Sequence, residues 1–138
     1  MLETTEDVQS RLERELRRAQ RHQRFLSVVM GTHDRRECSF ADLFSNVLRD
    51  SDEVIEDGLC ATILMEETDE HGALAAVKRL TEEYGYEVDL RLGAASYPKD
   101  GQSAAALLAM ARSRLDSAER KPPDARDGRP VRAVRGRE

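Results

Sequence analysis

The stretch of sequence that decides the fold spans residues 92–101 and reads LGAASYPKDG. It completes an alternation of apolar with polar or small residues that begins at Val88, and this pattern predicts a half-buried strand. The segment Pro98–Gly101 consists largely of turn-forming residues, so the strand is expected to end there. Ser103 follows in the position of a helix cap, which predicts a last helix that runs to about Arg120.

Towards the amino terminus, two further segments show clear periodicity. Between residues 6 and 24, apolar side chains recur at helical spacing with charged residues between them, which predicts an amphipathic lead helix. The mainly apolar run 25–30 (FLSVVM) directly after it predicts a buried strand. The polar residues 31–37 are then expected to form a loop.

Between these two strands the sequence predicts a helix, a hairpin and another helix. Ser39 is in the capping position of a helix that is expected to end near Asp50. Two short apolar runs follow, and the pair Asp57 and Gly58 between them is a strong hairpin signal. Thr68 is the predicted cap of the next helix.

The predicted order is therefore helix, strand, helix, hairpin, helix, strand, helix. Strands that interleave with helices, with one pair joined as a hairpin, indicate an α/β sandwich with a mixed or antiparallel sheet. Residues 1–120 are expected to form one domain of ordinary size. Residues 121–138 are rich in Pro and Arg without a core-forming pattern, and they are expected to be a flexible basic tail.

Charge and composition exclude several classes of function. The chain has 138 residues and a formal net charge of −5, which disfavours general nucleic-acid binding. No apolar run is long enough to cross a membrane, and the acidic start is unlike a signal peptide, so we expect a cytoplasmic chain. Two cysteines, Cys38 and Cys60, are too few for a disulfide framework.

Side chains that could carry catalysis or bind a metal are sparse. His33, Asp34 and Glu37 lie close together in the sequence, but they lack the ligand pattern of a metal site and are interpreted as part of a polar loop. Cys60 falls in a predicted core strand, where a free cysteine behaves as a small hydrophobe. No nucleotide-binding loop of the Walker or dinucleotide type is present. We therefore predict no metal and no resident cofactor.

The order of elements and several local strings resemble the GGDEF family, the diguanylate cyclases of bacterial second-messenger signalling. In the family's order, the strings are RLERELRRA (11–19) with LSVVM (26–30), EETD (66–69), LGAASYPKDG (92–101) and LLAMA (107–111). Together they cover roughly residues 11–120, nearly all of the predicted domain. The resemblance implies a GGDEF-like sandwich, with a central sheet flanked by helices, that is shortened after the first strand.

The resemblance also identifies groups that this chain lacks. The family's signature hairpin carries two glycines, an acidic pair and a phenylalanine, and the matching residues here are Asp57, Gly58, Leu59, Cys60 and Ala61. In the family, the turn that ends the first strand carries a carboxylate that binds the catalytic magnesium. Thr32 stands at the matching position here. Magnesium needs hard oxygen ligands, usually carboxylates. The resemblance therefore implies a degenerate domain that does not join two GTP molecules.

Many family members bind their product, cyclic di-GMP, at an inhibitory Arg-x-x-Asp site just before the signature. Arg49 and Asp52 match this pair, and Arg79 matches a further arginine on the helix after the hairpin. Arginine offers paired donors to O6 and N7 of guanine, and a carboxylate accepts from guanine N–H groups. The spacing alone leaves a second interpretation open, in which the pair is an ion pair at a helix end and Arg79 a solvated charge.

Two functions follow from these observations. The first is a catalytically inactive signalling domain that binds cyclic di-GMP at this site and relays it to a protein partner. The second is a nucleotide-independent interaction scaffold, in which the charged lead helix and the basic tail make the contacts. Both functions predict a protein partner and exclude nucleic acid and membrane as partners. Both are also compatible with a homodimer.

Overall fold

The computed structural model describes residues 4–33, 40–43, 48–57, 60–84 and 89–119. Within these ranges, helices and strands follow one another in the predicted order. The elements are α1 (Thr4–His22), β1 (Leu26–Thr32), α2 (Phe40–Leu43), β2 (Glu53–Asp57), β3 (Cys60–Glu66), α3 (Glu70–Tyr84), β4 (Arg91–Tyr97) and α4 (Ala104–Glu119). The predicted tail, residues 121–138, lies outside the described residues.

The four strands form one sheet in the order β2-β3-β1-β4. β1 lies between β3 and β4, with Val28 opposite Leu64 on one side and opposite Ala95 on the other. Every pairing is antiparallel. Of the two sheet types that the sequence allows, the antiparallel one is therefore present.

Helices cover both faces of the sheet, as the alternation of side chains along β1 requires. Val28 points to the face that α1 and α4 cover, whereas Val29 points to the face that α3 and Phe40 cover. The large, fully buried side chains of the first layer are Leu12, Leu26, Val28, Leu64 and Leu107, and those of the second are Val29, Phe40, Ile63 and Leu80. The predicted sandwich is confirmed.

The second helix is shorter than the sequence predicts. A helix is predicted over residues 39–50. α2 is described over Phe40–Leu43, residues 44–47 lie outside the described residues, and residues 48–50 are not helical. The Arg49 amide donates to the Asp52 carboxylate at 2.8 Å, and the Asp52 amide donates to the Arg49 carbonyl at 3.0 Å. The aspartate thus captures a backbone donor locally, and a turn replaces the last helical turn.

The cap of α3 also differs from the prediction. Asp69, rather than Thr68, caps the helix, because its carboxylate accepts from the Gly72 amide at 2.9 Å. The Thr68 hydroxyl donates instead to the Glu66 carbonyl at 2.8 Å. The predicted Ser103 cap of α4 is confirmed by a hydrogen bond of 3.1 Å from the amide three residues further on.

The first residues of β1 and β4 differ from the predicted ones. Phe25 precedes β1 and is exposed, although the sequence places it at the start of that strand. β4 begins at Arg91, after the predicted start at Val88, which lies outside the described residues, and it ends at Tyr97, directly before the predicted turn. The reason is pairing: β4 follows β1 along its whole length, from Arg91 opposite Thr32 to Tyr97 opposite Leu26.

β4 and α4 approach each other closely at Gly93. A methyl group at this position would overlap the Ala111 carbonyl oxygen and the Leu115 amide nitrogen, and both atoms belong to the α4 backbone. Glycine is therefore required by the close approach of two backbones.

We expect Gly93→Ala to destabilise the chain by about 3 kcal/mol, because α4 must move to relieve the overlap. Gly101→Ala is the matched control, since its added methyl meets the Ala106 side chain at 3.0 Å and the backbone only at 3.5 Å. The control is expected to cost less than about 1 kcal/mol. Unfolding in urea measures both changes, and equal losses would contradict this interpretation.

The turn after β4 is held by an ion pair between Asp100 and Arg114. Arg114 donates to the two carboxylate oxygens at 3.0 and 3.1 Å and to the Ala94 carbonyl at 2.9 Å. The Ser96 amide donates to the same carboxylate at 2.9 Å. Burial raises the pKa of Asp100, but the hydrogen bonds from Arg114 and Ser96 and the charges of Arg114 and Lys99 outweigh it, so the pKa lies below 3.8.

The sign of the resulting pH dependence follows from this lowered pKa. The folded state holds the Asp100 proton less tightly than the unfolded state, so the carboxylate stabilises the fold at neutral pH. This stabilisation is lost as the pH falls below about 4 and through the folded-state pKa. We expect Asp100→Asn to lower the Tm at about pH 7 and the difference from wild type to shrink towards about pH 3. Asp116→Asn on α4 is the control, and a difference for Asp100→Asn that stays constant with pH would contradict the assignment.

Candidate functional site

Arg49 lies just before β2 and is held along one edge of its guanidinium. Nη2 donates to the Asp52 carboxylate at 3.2 Å, to the Glu66 carbonyl at 3.2 Å and to the Thr68 hydroxyl at 2.6 Å. Nε donates to the same carboxylate at 3.4 Å. The side chain is nevertheless 53% exposed, and no acceptor among the described residues contacts Nη1. Arg49 is therefore fixed along one edge and open along the other.

Asp52 positions Arg49 and does not face solvent. One carboxylate oxygen accepts from the Arg49 amide and the other from its guanidinium, and the side chain is only 4% exposed. Such charge-assisted hydrogen bonds are stronger and more directional than those of an exposed ion pair. The carboxylate thus fixes both the backbone and the side chain of Arg49.

A buried hydroxyl pair supports this arrangement from within the core. Ser27 Oγ on β1 donates to the Thr68 carbonyl at 2.7 Å and lies 2.8 Å from Ser96 Oγ on β4. Because the Ser27 hydroxyl has a single proton, Ser96 is the donor in the second contact. The segment that holds Arg49 is thereby anchored to two strands of the sheet.

Arg79 lies on the exposed face of α3, at the same concavity as Arg49 and Asp52. It forms no hydrogen bond or ion pair with any residue in the described part of the chain. The concavity has a volume of about 190 Å³, and its further lining residues are Leu48, Met65, Thr68, Gly72, Ala75 and Ala76. The three residues that the sequence singles out therefore surround one opening, although ligand binding there stays a prediction.

The concavity combines hydrogen-bond donors with an apolar wall. The donors are Nη1 of Arg49 and the whole guanidinium of Arg79. The apolar wall consists of Met65 and small side chains of α3 such as Ala75. Arginine recognises phosphates and the acceptor edge of guanine. A volume of about 190 Å³ is somewhat larger than a cavity that admits benzene, so it suits one base rather than a whole dinucleotide.

The hairpin that corresponds to the family signature differs in detail from the prediction. Asp57 is part of β2, where it pairs with Cys60, so Gly58 and Leu59 connect the strands and lie outside the described residues. Cys60 is half-buried rather than a core residue, because it is the first residue of β3. Ala61 is buried in the layer beneath α3. In the described residues, no cluster of three His, Cys, Asp or Glu side chains could hold a metal.

The sequence misassigns His33, the residue directly after β1. Thr32, matched above to a magnesium ligand, is the last residue of β1. His33, interpreted as part of a polar loop, is only 3% exposed, and its ring packs edge-on against Phe40 with centroids 5.1 Å apart. The burial of His33 depends on its contact with Phe40, and the spacing of residues along the sequence does not reveal that contact. Asp34 and Glu37 lie outside the described residues.

Thr68 is the site residue whose role the sequence misses. Its predicted role is a helix cap, whereas its hydroxyl accepts from Arg49. The predicted hairpin of β2 and β3 is the signal from which the contact between Thr68 and Arg49 could be predicted. Because β2 pairs with β3 from Glu53 opposite Leu64, the residues just before β2 must meet the residues just after β3.

Solved structures with this arrangement of strands and helices are known. The GGDEF domain of YfiN (also called TpbB) from Pseudomonas aeruginosa matches with a TM-score of 0.71 and 23% identity, over 83% of this chain and 82% of that one. The active GGEEF domain of a diguanylate cyclase from Vibrio cholerae matches with a TM-score of 0.72 and 18% identity, over 96% of each chain. This chain has the fold of a GGDEF domain.

A third structure with the GGDEF fold was solved with a ligand. The GGDEF domain of DgcB from Caulobacter crescentus, in complex with c-di-GMP, matches with a TM-score of 0.65 and 12% identity, over 94% of this chain and 88% of that one. No protein-family model matches the chain, and no curated protein matches its sequence. Across the residues that the structure describes, none of the helices has the length and apolarity to span a membrane. The GGDEF fold is thus established, and activity has to be argued from the residues.

Proposed function

We propose that the chain is a catalytically inactive GGDEF-like signalling domain that binds cyclic di-GMP with Arg49, Asp52 and Arg79 and relays the bound state to a protein partner. The observation that carries this proposal is the shared concavity, where one arginine from the turn before β2 and one from α3 border the same opening. The c-di-GMP complex of a GGDEF domain with the same fold supports the choice of ligand.

The two arginines have different roles in the proposed complex. Arg49 presents Nη1 to one acceptor on the O6 and N7 edge of guanine, and Asp52 acts as a positioning residue that holds its other edge. Because Arg49 is already ordered, little side-chain entropy is lost on binding. Arg79 has no partner among the described residues and can pair with a phosphate oxygen through a charge-assisted hydrogen bond.

The size of the concavity limits the expected affinity. A volume of about 190 Å³ accepts one guanine, so the second base and the sugar–phosphate ring remain at the surface. Pockets that enclose a whole drug-sized ligand are larger, about 300–1,000 Å³. We therefore expect a dissociation constant in the micromolar range, which corresponds to a binding free energy of about −8 kcal/mol.

Titration calorimetry with cyclic di-GMP tests the two arginines. Arg79→Ala is expected to weaken binding at least about tenfold, since a hydrogen bond to a charged group contributes about 1.5–3 kcal/mol. Lys78→Ala is the matched control, because Lys78 is the exposed cation next to Arg79 on α3. The affinity of this variant for cyclic di-GMP is expected to stay unchanged. Arg49→Ala is expected to abolish binding, with the Tm recorded because this variant also loses internal hydrogen bonds. Absence of binding in the wild type would rule out the ligand.

A steric variant tests the concavity without altering either arginine. Ala75 lines the concavity and is exposed, so Ala75→Trp is expected to block the ligand while the chain still folds. Ala105→Trp, at an exposed position of α4, is the control and is expected to bind normally. Binding that survives both Ala75→Trp and Arg79→Ala would place the ligand elsewhere on the molecule.

The proposed inactivity rests on the ligands that magnesium requires. Cyclase chemistry needs divalent ions that polarise a phosphate and activate a hydroxyl. The residues that we match to the acidic pair and the phenylalanine of the signature are Leu59, Cys60 and Ala61, and none of them has a carboxylate. Thr32 is matched to the remaining magnesium ligand and offers at best a weak neutral one.

We expect no cyclic di-GMP to form when the purified chain is incubated with GTP and Mg²⁺ or Mn²⁺. Chromatography of the nucleotides measures the product, and an active GGEEF domain such as that of Vibrio cholerae serves as the positive control. Product above the buffer background, formed in proportion to the protein concentration, would show that the chain is an enzyme.

The relay to a partner requires a protein surface in addition to the nucleotide site. The exposed face of α1 is the candidate, and it also supports the second function, a nucleotide-independent interaction scaffold. Because cyclic di-GMP is a bacterial second messenger made from GTP, the proposal places the chain in the bacterial cytoplasm.

A further inference from the structure

α1 carries a basic stripe on the side of the helix that faces away from the core. Its members are Arg14, Arg17, Arg18 and Arg21, and all four are exposed. Their spacings of three and four residues place them on one face of the helix. From the first to the last, this arginine stripe extends over about 11 Å of the helix axis.

Most arginines of the stripe lack an ion-pair partner among the described residues. Arg18 has a carboxylate nearby, that of Glu15 at 3.6 Å. None of the acidic side chains in the described residues lies within ion-pair distance of the other three arginines. Like charges at these spacings destabilise a helix, and the helix dipole offsets this only in the last turn, where Arg21 lies. Arg14 and Arg17 have no ion-pair partner in the part of the chain that the structure describes.

The arginine stripe is continuous with a pocket that contains an exposed aromatic ring. Phe25 lies three residues after the end of α1 and is 51% exposed. It lines a pocket of about 180 Å³, together with Arg18, Ala19, Leu26 and Glu67 among other residues. This volume admits one side chain of about the size of benzene. Arg18 belongs to both surfaces, so a single bound segment can contact the stripe and the pocket together.

We propose that the arginine stripe and the Phe25 pocket form a docking surface for an acidic protein segment with one apolar anchor. The anchor enters the pocket beside Phe25, and carboxylates of the same segment pair with Arg14, Arg17 and Arg21. The inference rests on the part of the proposed function that requires a protein partner, and it names the chemistry of that partner.

The charges around the pocket favour a protein segment over a nucleic acid. Glu15, Glu66 and Glu67 line the pocket beside Arg18 and Arg24, and Glu15 and Glu67 pair with these two arginines, so the pocket offers no excess of positive charge to a phosphate. A nucleic acid carries a negative charge at every nucleotide and cannot omit it at the pocket. A peptide can place an apolar side chain there and its acidic residues along the stripe.

Peptide display on the full-length chain provides the probe. Random peptides are selected on the immobilised protein, and the enriched ones are expected to be acidic with one large apolar residue. A labelled enriched peptide is then titrated by fluorescence anisotropy. The double variant Arg14→Glu/Arg17→Glu is expected to weaken its binding at least about tenfold, because two attractions become repulsions. Phe25→Ser is expected to weaken binding to a similar extent through loss of the apolar contact.

A charge-matched control separates local contacts from the net charge. Lys78→Glu/Arg112→Glu changes the net charge by the same amount at exposed positions on α3 and α4, and it is expected to bind the peptide normally. All substituted residues are exposed, and circular dichroism confirms that each variant folds. Enriched peptides without acidic residues, or binding that the α1 variants leave unchanged, would overturn the proposal.

Two other occupants of the surface are distinguished by competition. A single-stranded oligonucleotide that displaces the peptide at lower concentration than the unlabelled peptide would identify a nucleic-acid surface. Self-association of the chain that the peptide reverses would identify a second copy as the occupant. Either result overturns the proposal. The titrations contain no cyclic di-GMP, so their failure leaves the nucleotide site standing, and failure of the calorimetry leaves the docking surface standing.

Discussion

The buried hydroxyl of Ser27 is the contact on which the site depends. β1 is the central strand, and at this position it presents a polar group to an otherwise apolar layer. The hydroxyl binds the Thr68 carbonyl, where β3 leads into α3, and meets Ser96 on β4. A buried polar group without a partner costs about 1–3 kcal/mol, so the contacts stabilise the fold only as a set. They fix the segment that supplies the acceptors for Arg49.

Most of the fold could be predicted because its signals are local. The spacing of apolar residues identifies α1 and β1, and Ser103 marks the start of α4, without reference to the rest of the chain. The predictions were wrong where a tertiary contact overrides local preference. The predicted helix over residues 39–50 stops short because Asp52 captures the Arg49 amide, and β4 begins later than predicted, at Arg91, where its pairing with β1 begins.

The site could be predicted only in part, for a physical reason. Arg49, Asp52 and Arg79 are suggested by a sequence resemblance, and all three line one concavity. Spacing cannot reveal that Asp52 is buried or that Thr68 accepts from Arg49, because both facts depend on the pairing of β2 with β3. Residue types therefore indicate which groups are present, and the sheet determines which of them remain free for a ligand.

The segment Glu66–Thr68 contacts both proposed surfaces. The Glu66 carbonyl and the Thr68 hydroxyl hold Arg49, whereas the Glu67 side chain pairs with Arg24 and lines the Phe25 pocket. Glu67 has a φ of 51°, a strained conformation for a residue with a side chain, and it lies between the two acceptors. Both proposed surfaces therefore depend on the same three residues. Because the Ser27 hydroxyl binds the Thr68 carbonyl and meets Ser96 on β4, this shared segment is anchored to two strands of the sheet.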